Sequence, residues 1–117
     1  LVRGAAAEAM VADALVRDGW RVLARNWRGG GGELDVVVER SGVVRFVEVK
    51  CREGDAIDLY DAVGPGKQRS LGGAASEWLA QHAPAGIAEA AFLVALVTTI
   101  GETSSIDWID DAFDAEG

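Results

Sequence analysis

The stretch ELDVVVER-SG-VVRFVEVKCR, residues 33–52, decides the fold. Two β-rich runs flank Ser41-Gly42, a dipeptide suited to a two-residue turn, so the stretch reads as a β-hairpin. With Arg40 and Val43 beside the turn, antiparallel pairing sets Asp35 opposite Glu48 and Glu33 opposite Lys50. Side chains alternate between the faces of a strand. Leu34, Val36, Val47 and Val49 are therefore expected on one face, and Glu33, Asp35, Glu48 and Lys50 on the other.

Upstream, residues 29–32 are four consecutive glycines, which allow a tight turn with exposed backbone. Residues 20–28, WRVLARNWR, read as a strand before it. Ala7, Met10, Val11, Ala14 and Leu15 recur at helical spacing ahead of that strand, with Gly19 placed as a C-terminal stop. Glu8 falls at the edge of this apolar stripe. Downstream, residues 53–63 read as a loop. A second helix starts near Pro65, with Leu71, Ala74, Ala75, Trp78, Leu79 and His82 on one stripe. The stripe extended backward aims Lys67 and Gln68 at the sheet. Gly72 and Gly73 each cost a helix about 1 kcal/mol relative to Ala, which argues against a regular one. Residues 90–100 are apolar on both faces, as in a buried strand parallel to its neighbour. Residues 104–109 suit a last short strand before an acidic tail from about residue 110. The order α-β-β-β-α-β-β predicts an α/β domain, a mixed β-sheet flanked by helices in two or three layers.

A chain of 117 residues, half of them hydrophobic, suits a single domain over 1–117 with a real core. The longest apolar run, residues 90–97, is far below the ~20 residues of a membrane helix, so no membrane partner is expected. No basic segment precedes an apolar one in the manner of a secretory signal. The sequence opens at Leu1 rather than Met, which leaves room for a trimmed or missing short leader. Cys51 is the only cysteine, which excludes an intrachain disulfide and cysteine-built zinc sites, and a cytoplasmic location is expected. The net charge is −8, yet all eleven Lys and Arg lie within residues 1–69. A basic surface is possible there and nowhere else.

Two carboxylates facing each other across a hairpin repel. A divalent cation between them removes that penalty. Mg²⁺ takes one or two carboxylates and otherwise water and phosphate oxygens. Asp35 and Glu48 offer the pair, the Val49 carbonyl a third ligand, and Lys50 an ammonium for a water or a developing phosphate charge. The plain alternative is a solvated hairpin face with an ion pair worth ~0–1 kcal/mol.

Asp35 followed by Glu48-Val49-Lys50 resembles the D…ExK core of the PD-(D/E)xK nuclease superfamily. Gly4 and Glu8, Asn26, Gly32-Glu33-Leu34-Asp35, Phe46-Val47-Glu48-Val49-Lys50, Arg52 and Lys67 resemble, more narrowly, the YraN family. That family is similar to archaeal Holliday-junction resolvases. The resemblance implies a restriction-endonuclease-like fold and an Mg²⁺- or Mn²⁺-dependent DNA endonuclease, acting on branched DNA in the resolvase-like case. It raises Glu8 and Glu33 to catalytic candidates beside Asp35, Glu48 and Lys50. A resolvase-like chain of this length would need a homodimer to cut two strands symmetrically.

Arg52, Lys67 and Gln68, helped by the positive end of the second helix, are candidate phosphate contacts, as is Arg28 beside the glycine turn. Ordinary solvation of strand and helix ends is the competing reading. His82 and Cys51 read as structural, and Trp20, Trp27, Trp78 and Trp108 as core. Two other classes stay open: a catalytically silent nucleic-acid-binding module, and a protein-interaction domain that the net acidity favours.

Overall fold

The computed structural model describes residues 4–53 and 64–110. Helix α1 (Gly4–Arg17) is followed by strands β1 (Arg21–Gly29), β2 (Gly32–Arg40) and β3 (Val43–Glu53). Helix α2 (Pro65–His82) and strands β4 (Glu89–Ile100) and β5 (Thr103–Asp110) complete the order. It is the expected α-β-β-β-α-β-β. The expected loop falls largely on residues 54–63 and the acidic tail on 111–117, outside the described residues. Among the described residues no helix is long and apolar enough to cross a membrane.

Local chemistry accounts for these elements. Gly19 stops α1 at φ 91°. There Trp20 N–H bonds the Leu15 carbonyl and Gly19 N–H the Val16 carbonyl, the paired bonds of a glycine helix stop. Ser41 and Gly42 both have positive φ, as a two-residue hairpin turn requires. Pro65 opens α2 where a missing N–H costs nothing.

The five strands lie in the order β1-β2-β3-β4-β5. β3 and β4 are parallel and every other pair is antiparallel. A parallel neighbour and a helix-bearing connection explain why β4 is apolar on both faces. α1 packs Ala7, Val11 and Leu15 on Val36, Val38, Val47, Leu93, Ala95 and Val97. α2 packs Leu71, Ala74, Ala75 and Trp78 on the other face, against Leu34, Val37, Val44, Phe46 and Phe92. The result is three layers.

Three details differ from the sequence reading. α2 is regular through Gly72 and Gly73. A Cβ on Gly73 would overlap the Gly30 carbonyl, and one on Gly32 the Ser70 carbonyl. The glycine turn is exposed at Gly30 and Gly31, as expected, and is also docked on α2, so close backbone approach adds a second reason for its composition. Leu34 joins the α2 side whereas Val36, Val47 and Val49 face α1. Trp108, on edge strand β5, is 42% exposed and is no core residue. Trp20, Trp27 and Trp78 do pack in the two cores. His82 is exposed at the end of α2, with its ring against those of Trp27 and Trp78.

Candidate functional site

The β2–β3 ladder runs from Arg40↔Val43 to Val36↔Val47 and stops there. β3 continues to Glu53 with β4 as its partner. At the first level beyond the ladder, Asp35 Oδ2 accepts the Val49 N–H at 2.9 Å, where a strand carbonyl would otherwise serve. The N–H and C=O of one strand residue emerge on the same edge. The Val49 carbonyl therefore faces the gap that opens between β2 and β3.

Glu48 lies in this gap, 3% exposed. The Asp35 carboxyl lies beside it and adds its negative charge to the gap. Glu48 Oε1 also meets Lys67 Nζ at 3.1 Å and Lys50 Nζ at 3.5 Å. Oε2 is buried without a partner. Burial first, and the Asp35 charge second, push the Glu48 carboxyl up to about 7, against the pull of Lys67. The two acids expected to oppose each other do meet, through their side chains rather than as a ladder pair.

Glu8, on α1, approaches from the other helix. Its carboxyl is raised by burial and by Asp35, with Glu33 adding to the effect, while Asn26 and Arg25 counter it. Its Oε2 is buried and without a partner. Both helices thus present one residue to the opening, Glu8 from α1 and Lys67 from α2.

The remaining candidates are distributed around this centre. Lys67 stands in the first turn of α2, as expected from the backward extension of the stripe. Gln68 is in the same turn, its N–H on the Gly64 carbonyl. Glu33 meets Arg28 at 3.3 Å across β1–β2, so its ion pair is with Arg28, not with Lys50. The early end of the β2–β3 ladder removes the Glu33–Lys50 opposition. Arg52 donates to Thr98 Oγ1 at 2.9 Å and lies 4.0 Å from Asp107, which directs it toward β4 and β5.

Sequence reasoning left Asn26 without a role of its own. It sits inside β1 with φ 51°, and Ser41 is the only other non-glycine residue with positive φ among the described residues. A lone Asn in an otherwise strand-forming run was the available signal, since Asn tolerates this conformation better than most residues.

The family model described as "Uncharacterised protein family UPF0102" matches residues 7–107. A UPF0102 protein of Gloeobacter violaceus is 44% identical over 115 residues, covering 95% of this chain and 91% of its own. One from Rhodopseudomonas palustris is 42% identical over 94 residues, 80% of this chain and 72% of that protein. One from a Synechococcus strain is 45% identical over 96 residues, 80% and 73% respectively. The match spans every element that frames the opening between β2 and β3, and the chain belongs to the uncharacterised protein family UPF0102, the YraN family that its motifs resemble.

Proposed function

We propose that this chain is a divalent-cation-dependent endonuclease that hydrolyses DNA phosphodiesters. The observation that carries the reading is half-buried Asp35 beside buried Glu48, with an unpartnered Glu48 oxygen, at the point where β2 leaves β3. Two carboxylates and a strand carbonyl facing the gap are hard oxygen donors of the kind Mg²⁺ or Mn²⁺ takes. Asp35, Glu48 and the Val49 carbonyl would hold the ion. When bound, it supplies a Lewis acid and lowers the pKa of a water.

The chain's own residues support the remaining roles. Lys50 lies two residues beyond Glu48 on the same strand and brings positive charge to the site where negative charge grows on phosphate. Lys67 steadies Glu48 from the first turn of α2, whose N-terminal amides favour an anion. Arg28 and Gln68 would serve as phosphate contacts, as would Arg52 from the β4–β5 side of β3. Glu8 and Glu33 add acidic character from α1 and β2. Symmetric cutting of two strands would call for a homodimer.

A second reading is a catalytically silent nucleic-acid-binding module. It is favoured by the absence, among the described residues, of any group of three or more His, Cys, Asp or Glu placed to hold a metal. Branched, flapped and linear DNA incubated with Mg²⁺ or Mn²⁺, beside a chelator control, separates the two. Chelator-sensitive cleavage is expected. Salt-sensitive binding without cleavage would select the silent module, and neither signal would leave a protein-interaction domain.

A further inference from the structure

Asn26 stands at the one level of the β1–β2 ladder between Arg25↔Val36 and Trp27↔Leu34, across from Asp35. Both strands change face there. Val36 packs on the α1 side, while Leu34, two residues earlier, packs on the α2 side. Ala24 and Trp27, three residues apart, both lie on the α2 side. A left-handed residue inside a strand resets the alternation in this way and re-aims the side chains beside it. Asp35 is one of those side chains, and at this level it bonds Val49 on the neighbouring strand. The Asn26 side chain also draws the Glu8 carboxyl down, against the burial and the Asp35 charge that raise it. One residue thus links α1, β1 and β2 at the level of the site.

We propose that Asn26 is a positioning residue of the Asp35–Glu48 site: its left-handed backbone turns β2 so that Asp35 faces β3, and its amide holds Glu8 beside Asp35. The inference rests on the cation-dependent reading for its functional consequence, and on the strand geometry at Asn26 for the aim of Asp35. A strained conformation kept by a side chain that also acts on an acid of the site is what positioning requires. A residue serving only as a turn would need no amide, and Gly would fill it at less conformational cost.

Three variants separate backbone from side chain. Asn26→Gly keeps the left-handed backbone and removes the amide. Asn26→Ala strains the backbone as well. Glu8→Gln removes the charge that the amide holds. Thermal melting without metal and Mn²⁺ titration by calorimetry are read on each, and on the Asn26→Gly/Glu8→Gln double variant. Asn26→Gly should melt close to the parent yet bind Mn²⁺ about tenfold more weakly, the usual loss when a residue supporting metal ligands is removed. Asn26→Ala should lower both. The two single changes should be non-additive in melting, as for groups in contact. Parent-like Mn²⁺ binding by Asn26→Gly together with additive melting would overturn the proposal. Should the parent itself bind no Mn²⁺, the cation reading fails. Non-additive melting would then still uphold Asn26 as the residue that places Glu8, and additive melting would reject it.

Discussion

Glu48 is 3% exposed with one oxygen unpartnered, so burial and the Asp35 charge oppose its ionisation, against the pull of the lysine ammonium on its other oxygen. Asp35→Asn keeps an acceptor for the Val49 N–H and removes the repulsion. The variant should melt higher than the parent without metal, and should lose both Mg²⁺ binding and cleavage. Lys50→Ala should keep Mg²⁺ binding but lose cleavage by about 10²-fold or more, the scale for removing one charge-stabilising group. Single-turnover cleavage beside metal titration and melting distinguishes them. The pH dependence follows from the same pair. Glu48 is raised from 4.5 to about 7 in the folded chain, so the folded state keeps a proton that the unfolded state releases. That stability is fully present below about pH 4.5 and is lost as pH rises through about 7, on the order of a few kcal/mol. The metal-free protein should therefore melt lower at pH 8 than at pH 5.5, and Mg²⁺ should raise the melting temperature more at the higher pH. Equal Mg²⁺ shifts at both would disconnect the ion from Glu48.

At the scale of elements, α2 carries two adjacent glycines with opposite roles. Gly72 has nothing within 4 Å of where a Cβ would stand, whereas a Cβ on Gly73 would collide with the Gly30 backbone. Gly72→Ala should stabilise the protein by up to about 1 kcal/mol through helix propensity. Gly73→Ala gains the same propensity but must move the β1–β2 turn, and should cost about 1–3 kcal/mol, as overpacking does. Chemical denaturation of the two variants gives the comparison directly. Because that turn joins the strands bearing Asn26 and Asp35, Gly73→Ala should also weaken Mn²⁺ binding.

For the whole molecule, the separation of charge along the chain decides where a polyanion can approach. β4 and β5 contain no Lys or Arg, and β5 carries Asp107 and Asp110. Lys50 and Lys67 meet Glu48 at the opening between β2 and β3, with Arg28 on the neighbouring strand, while Arg52 turns toward Asp107. If the first three meet phosphates, the slope of log K against log salt is no steeper than about −3, at about −0.9 per phosphate. Arg28→Gln should make it shallower by about 1. Fluorescence anisotropy over a salt series measures both. A much steeper slope would mean that DNA lies on some other surface.

Much of this arrangement is written in local pattern. The Ser41-Gly42 turn sets the β2–β3 register, the Gly19 stop ends α1, and the apolar run 90–97 of β4 declares its parallel neighbour, because each depends on residues close in sequence. The convergence of Asp35, Glu48, Lys50 and Lys67 was legible for the same reason: two strand periods and one helix period were extended to a common end. Tertiary structure alone decided where the β2–β3 ladder stops, that Leu34 and Val36 face opposite helices, and that Glu33 pairs with Arg28. Strict alternation fails between Leu34 and Val36, and Glu33 follows the Arg28↔Glu33 pairing of β1 with β2. It also decided that Gly73 serves the glycine turn, since only docking brings residues 30 and 73 together. Periodicity describes each element alone, whereas a bulge, a close approach and a buried charge are settled between elements.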